Sequence, residues 1–358
     1  MSFILVPLAA FAVAALVTPL VARFAVRAGV VDRPTSPRKV HTKPVPLLGG
    51  WALWLGLAAA IATAIQLGAI PGPHIKEKFL LGILLATLLL VVGGSLDDRF
   101  DLRPAKQIVW PVLAALVIIM SGIGVTAVTN PFGGLLYLDR WQFTAVTFGG
   151  IPYKITVIAD LFTLAWLLGM TYTTKFFDGL DGLVSGVTVI GGLVIAAVSL
   201  TKDVAQPDTA FLALGLAGAS LGFLVWNFHP ARIFLGEGGS TLAGFMLGVL
   251  AIVSGGKIAT TLLVLGLPLF DAAFVIVRRL LEGKSPALAD RSHLHHRLLD
   301  LGFSHRQAVL FMYAIAAAFG ASTLVLRGAQ KVAALGFLLS ILIAIVAASL
   351  AAKRKTYD

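Results

Sequence analysis

Apolar residues in this chain run together for about twenty positions at a time, separated by short polar segments. They do not alternate as in an exposed strand, nor recur every third or fourth residue as on a soluble helix. Eleven such runs lie near 3–24, 48–70, 79–96, 108–128, 155–173, 182–200, 209–227, 238–254, 258–278, 307–326 and 332–351. A helix crossing a bilayer core needs about 20 mostly apolar residues, so the pattern predicts an all-α polytopic membrane protein with about 11 transmembrane helices. The third and eighth runs are short, which predicts tilting, re-entry or interruption there. Between 129 and 154 glycine pairs flank two alternating segments, Leu135 to Arg140 and Gln142 to Phe148, predicting a small extracytoplasmic β-hairpin near 134–153. No internal repeat or separate soluble stretch interrupts the series, so residues 1–358 read as a single integral-membrane domain.

Composition sharpens this picture. The chain is 58% hydrophobic and 13% charged, against about 25% charged in soluble domains. It has no cysteine, which excludes disulfides, thiolate metal sites and a cysteine nucleophile. The net charge of +11 looks like a nucleic-acid signature until its positions are read. Of the 28 Lys and Arg residues, 20 fall in alternate connections and the C-terminal tail. By the positive-inside rule that side is cytoplasmic, with the N-terminus outside and the C-terminus inside. The charge is a topology device, and no nucleic-acid partner is expected.

Acids contribute little to topology, yet eleven of the 17 lie on the same side, beside glycines and at predicted helix ends. A transporter would place key charges near mid-membrane; here Asp160 and Asp271 are the clear intramembrane acids. The expected chemistry is therefore at the cytoplasmic surface, in loops near 25–47, 97–107, 174–181, 228–237 and 279–306. Asp97 and Asp98 end the third run, where paired carboxylates oppose the helix dipole and repel one another. Such a pair can hold a divalent metal or supply a base. Asp178-Gly179-Leu180-Asp181-Gly182 opens the sixth run, and Gly236-Glu237-Gly238-Gly239-Ser240 opens the eighth as a natural pyrophosphate cradle. The last loop carries His293, His295, His296 and Arg297, suited to nucleotide phosphate, while the first is basic and proline-stiffened and suits anionic lipid head groups. Together these groups suit the joining of a water-soluble phosphate compound to a membrane lipid with Mg²⁺.

In this order the clusters resemble the polyprenyl-phosphate N-acetylhexosamine-1-phosphate transferases. The resemblance runs from Val31 to Phe303 through Val31-Asp32-Arg33-Pro34, Arg38-Lys39-Val40-His41, Asp97-Asp98-Arg99-Phe100-Asp101, Asp178-Gly179-Leu180-Asp181-Gly182-Leu183, the Gly236 to Ser240 turn, Asp271 with its following arginines, and Ser292-His293-Leu294-His295-His296-Arg297. Asp101 and the His-Leu-His-His-Arg form resemble the WecA/TagO branch, which uses UDP-GlcNAc. The MraY branch typically has lysine at the Asp101 position and three consecutive histidines. The resemblance implies transfer of N-acetylhexosamine-1-phosphate from a UDP-HexNAc to undecaprenyl phosphate at the inner (plasma) membrane, releasing UMP and starting a cell-envelope glycan. It implies catalytic roles for Asp97 and Asp98, with Asp97 the better candidate base. Asp178, Asp181 and Glu237 become Mg²⁺ ligands, with Mn²⁺ a substitute. Lys39, His41, Lys175, His293, His295, His296 and Arg297 become substrate contacts, and many relatives are homodimers.

The chain departs from that pattern at three positions. Glu237 stands where Asp is usual, and Lys175 and Tyr172 where Asn is usual. A protonated lysine cannot bind Mg²⁺, so Lys175 is expected either to pair with Glu237 or to bind pyrophosphate itself. Two other readings compete. A UbiA-type intramembrane prenyltransferase also uses aspartate clusters with Mg²⁺ but predicts two related helical repeats. A lipid-carrier transporter or flippase predicts polar residues through the mid-membrane region.

Overall fold

A computed structural model describes residues 1–34, 43–130, 134–148, 151–255, 258–283 and 293–357. Its helices are α1 Ser2–Arg27, α2 Gly49–Gln66, α3 Glu77–Phe100, α4 Pro104–Gln107, α5 Val109–Ser121, α6 Val157–Phe177, α7 Leu183–Ser199, α8 Pro207–Asn227, α9 Gly236–Val253, α10 Ile258–Val264, α11 Gly266–Leu281, α12 Leu294–Asp300, α13 His305–Ser322 and α14 Ala329–Tyr357. Each of the eleven apolar runs is helical. Among the described residues, eight helices are long and apolar enough to cross a membrane, and a ninth span is the bent pair α10 and α11. α7 is shorter, at 17 residues, and α13 opens on the polar turn His305-Arg306-Gln307.

The interruption expected in the third or eighth run lies instead in the ninth. α3 and α9 are continuous over 24 and 18 residues, whereas α10 and α11 meet at 81°. Pro268 accounts for the break. It has no N–H to offer the carbonyl of Val264, and its ring crowds that carbonyl, so the first helix stops there.

Short runs of strand complete the chain: β1 Val31–Asp32, β2 Val45–Pro46, β3 Ala127–Thr129, β4 Leu135–Tyr137, β5 Gln142–Phe148 and β6 Ile151–Thr156. The two segments expected to form one hairpin do not pair with each other. β4 pairs back with β3, and β5 pairs forward with β6, both antiparallel. Gly149-Gly150, which separates β5 from β6 in sequence, is the shorter and stronger hairpin signal.

α9 is the central helix: 89% of its apolar window is buried, against 22% for α1 and 17% for α14. Its glycines make this possible. A Cβ on Gly94 of α3 would fall 2.1 Å from the Gly238 nitrogen, and one on Gly244 would fall 2.2 Å from the Met170 carbonyl of α6. The three helices thus meet backbone to backbone, as small residues allow in membranes. The Thr174 hydroxyl donates to the Ser240 carbonyl at 2.8 Å, and the Trp166 indole donates to the Gly248 carbonyl at 3.1 Å, fastening α6 to α9. The consequence for chemistry is direct. Asp97 and Asp98 lie about one turn beyond Gly94 and Glu237 just before Gly238, so this crossing delivers all three acids to one place.

Candidate active site

The last turn of α3 separates its two aspartates. Asp97 Oδ1 accepts hydrogen bonds from the Leu102 backbone N–H at 2.8 Å and the Gln107 amide at 3.1 Å. Its Oδ2 lies 4.0 Å from the Lys175 ammonium. Asp98 points about 100° away around the helix. Its Oδ1 accepts from the Glu237 backbone N–H at 3.1 Å, while its Oδ2 is buried with no hydrogen-bond partner among the described residues. Gly236 lies directly beneath it, at φ +67, where a Cβ would fall 2.3 Å from that oxygen. Both backbone sign and space therefore require glycine at 236.

Lys175, in the last turn of α6, sits between these acids. Its ammonium is 2.8 Å from Glu237 Oε2, donates to Gln107 Oε1 at 2.9 Å, and lies 5.9 Å from the Tyr172 ring centroid. Of the two roles expected for Lys175, pairing with Glu237 is present. Tyr172, Lys175 and Glu237, the three departures, form one contact group. Gln107, which carries no motif, joins Asp97 to Lys175, and nothing in its sequence context announces this.

Asp98, Lys175, Asp178, Asp181, Glu237 and His296 all line one cavity of about 330 Å³, with Asp32, Ser240 and His305 also on its wall. Asp178 caps α6, and burial pushes its carboxyl up to about 8, with the negative charges of Glu237 and Asp181 adding to the effect. Asp181 Oδ2 accepts from the Ala231 N–H at 3.0 Å and contacts His229 Nδ1 at 2.7 Å, while the Asp181 N–H donates to His305 Nε2 at 2.8 Å. His229 and His305 carry no motif, but both lie in or beside connections on the lysine- and arginine-rich side, which is the signal that could have found them.

The histidine segment is divided in the same way. His293 Nδ1 lies 2.9 Å from Asp271 Oδ2, and the Leu294 N–H donates to Asp271 Oδ1 at 2.9 Å. Asp271 of α11 therefore anchors the start of α12. Arg297 donates to the Ser349 hydroxyl of α14 at 2.9 Å. His295 packs against Gly179, where a Cβ would fall 2.0 Å from its Nε2. Burial, then the fields of His296, His293 and His305, holds its imidazole well below the usual range and thus neutral. His296 lines the cavity; His293, His295 and Arg297 are buried in contacts that seat α12. Lys39 and His41 lie outside the described residues.

The carboxylate oxygens on the cavity wall are hard donors of the kind Mg²⁺ prefers. The partnerless Asp98 Oδ2 is a donor left over by the protein's own hydrogen bonding, and such a group fits a hard cation.

Residues 80–255 match the family model described as Glycosyl transferase family 4. The chain is 33% identical over 320 residues to a probable undecaprenyl-phosphate N-acetylglucosaminyl 1-phosphate transferase of Bacillus subtilis, covering 88% of this chain and 82% of that protein. It is 34% identical to a decaprenyl-phosphate N-acetylglucosaminephosphotransferase of Mycolicibacterium smegmatis, covering 90% and 82%. It is 29% identical to the undecaprenyl-phosphate alpha-N-acetylglucosaminyl 1-phosphate transferase of Escherichia coli, covering 82% and 76%.

Proposed function

The chain belongs to glycosyl transferase family 4, and from that premise we propose that it transfers N-acetylglucosamine-1-phosphate from UDP-GlcNAc to undecaprenyl phosphate, releasing UMP. The observation that carries this reading is the cavity in which Asp98, Asp178, Asp181, Glu237, Lys175 and His296 converge. The basic connections around it support a cytoplasmic active site at the plasma membrane.

In this reaction an oxygen of the lipid phosphate attacks the sugar-linked phosphorus of the nucleotide. One phosphoanhydride bond forms as the other breaks, and UMP leaves with the bonding pair. A phosphate monoester has its second pKa near about 6, so the attacking group is mostly a dianion at neutral pH. A strong base is unnecessary; the demand is to bring two anions together and stabilise the charge between them. Lys175 answers part of that demand with a fixed ammonium held by Glu237 and Gln107. His296 faces the same space as a phosphate donor. Asp98, Asp178 and Glu237 would hold Mg²⁺, with Mn²⁺ a substitute; the bound ion supplies Lewis-acid charge neutralisation on the pyrophosphate. Asp98, which lines the cavity and keeps an oxygen without a hydrogen-bond partner among the described residues, is the better placed of the adjacent aspartates; Asp97 positions Lys175 and the turn after α3.

The test is radiolabel transfer from UDP-GlcNAc to undecaprenyl phosphate in detergent, with and without Mg²⁺. Labelled lipid that requires the metal and is lost in Asp98→Asn is the expected result. Absence of label from folded protein across a panel of UDP sugars would overturn the reading.

A further inference from the structure

The end of α6 remote from the cavity carries a different kind of surface. There the chain forms two antiparallel ribbons, β3 with β4 and β5 with β6. Large apolar side chains on and beside them are open: Trp141 is 70% exposed, Phe143 54% and Ile155 41%. We propose that these ribbons form a membrane-interface plate. They lie in the lipid headgroup layer of the leaflet opposite the cavity, with Tyr137, Trp141, Phe143 and Ile155 in contact with lipid.

Depth is the first argument. α6 has 21 residues, and at about 1.5 Å per residue it spans about 31 Å, matching a bilayer core of about 30 Å. Its Asp178 end lies at the cavity, so Val157 marks the far edge of that core. The Val157 N–H donates to the Trp141 carbonyl at 3.1 Å, which places Trp141 at the same edge. Asp160 accepts from the Thr156 N–H at 2.8 Å and the Thr156 hydroxyl at 3.1 Å, tying the end of β6 to the first turn of α6. The other ribbon is fastened in the same way. The Val125 N–H donates to the Thr163 hydroxyl at 2.9 Å, a point about 9 Å inside the start of α6. β3 begins at Ala127, just beyond. Leu138 follows β4, is buried in the main core, and donates its N–H to the Thr126 carbonyl at 2.8 Å. Neither ribbon stands away from the bilayer edge as a stalk.

Surface chemistry is the second argument. Phe143 and Ile155 are cross-strand partners and share one face, while Gln142 and Thr156 pair on the other. The start of this ribbon is therefore amphipathic. It leads directly into Val157, Ile158 and Leu161 of α6, which are exposed along a membrane span and so face lipid. Tryptophan and tyrosine join an apolar ring to a polar N–H or O–H, the combination that concentrates at membrane–water interfaces. An isolated two-stranded ribbon is marginal in water; lipid supplies the missing cover. Leu135, Leu136 and Tyr137 are consecutive in β4, hence on alternating faces, and all three are exposed. A surrounding lipid layer covers both faces, whereas one flat protein partner covers a single face.

The proposal is independent of the transferase reading, because its test uses no substrate. The chain has no cysteine, so Trp141→Cys, Phe143→Cys, Leu161→Cys and Asp203→Cys can each carry one polarity-sensitive NBD label. Leu161 is exposed one turn inside α6, and Asp203 is exposed in the connection between α7 and α8 on the same side. Labelled full-length protein is placed in vesicles of phosphatidylcholine and phosphatidylglycerol bearing a spin label at the headgroup or deep in the acyl chain. Labels replacing Trp141 and Phe143 should emit to the blue of the Asp203 label. The headgroup spin label should quench them about twofold more than the deep one. The Leu161 label should show the reverse order. Water-like emission at both Trp141 and Phe143 positions overturns the proposal, as does quenching in the Leu161 order. Blue emission that neither spin label quenches also overturns it, and assigns the surface to a second copy or another protein. Unfolding curves check that the variants are folded. In unlabelled protein, Trp141→Phe should remove part of the tryptophan emission that the headgroup label quenches; an unchanged quenched fraction counts against lipid contact.

Discussion

The carboxylate wall made by α3, α6 and α9 and the histidine helix α12 are equally rich in charge, yet they are built for different ends. In α12 the side chains seat the helix: His293 with Asp271, Arg297 with Ser349, and His295 neutral against Gly179, its Nδ1 buried without a hydrogen-bond partner among the described residues. On the carboxylate wall the unpartnered group stands at the cavity: Asp98 lines it, and its Oδ2 is buried without a hydrogen-bond partner among the described residues. A dense cluster of titratable residues is therefore evidence of position; chemistry follows where an unpartnered group also lines a cavity that a ligand can enter.

The largest expected effect tests that contrast at adjacent residues. Asp98→Asn should lower GlcNAc-1-phosphate transfer by about 10²–10³-fold, the scale for removing one electrostatic contact to a reacting phosphate. Asp97→Asn should cost about tenfold, because it disturbs Lys175 and Gln107 without touching the cavity. Equal losses in the radiolabel assay would erase the distinction. Next, Asp271→Asn should destabilise the fold by about 3 kcal/mol, the cost of breaking a buried, hydrogen-bonded pair, seen as a lower midpoint of thermal unfolding. His296→Ala, on the cavity side of the same helix, should leave that midpoint in place and weaken only transfer.

A smaller effect concerns Lys175 and Glu237. The double change Lys175→Asn with Glu237→Asp should retain more activity than either single change, with a coupling of about 1–2 kcal/mol in transition-state terms. Additive losses would show that the 2.8 Å pair carries no functional coupling.

A separate expectation is pH dependence at Asp178, whose carboxyl is raised to about 8. An acid raised in the folded state binds its proton more tightly there than when unfolded. Its contribution to stability is thus full below about pH 4 and is lost as pH rises toward 8. Metal-free protein should lose thermal stability across that window, Asp178→Asn should flatten the loss, and Mg²⁺ should offset it most near pH 8, where the carboxylate forms. A flat wild-type profile would contradict the assignment.

Much of this was legible in one dimension. Run length and apolarity predict helices at all eleven places because a bilayer-crossing helix must satisfy its own backbone and present apolar atoms throughout. The Lys175–Glu237 pair was one of two roles open to two unusual residues. Pro268, which breaks the ninth run, is also visible in the sequence, as is the glycine pair that separates β5 from β6. Gln107, His229 and His305 lack motifs, and their contacts span 48 to 124 positions or come from the turn beside Asp97.

What the sequence determines by itself is the local and the additive: helix, span, charge asymmetry, and which residue types face one side. What only the tertiary structure decides is which of two neighbouring aspartates keeps an oxygen free. Asp97 and Asp98 are chemically identical and differ by about 100° around one helix. The close crossing at Gly94 and Gly238 brings the Glu237 backbone and Gly236 against Asp98, while Leu102 and Gln107 close on Asp97. That choice is made by backbone contact between segments some 140 residues apart, as the Asp98–Glu237 separation of 139 shows, and no local pattern encodes it.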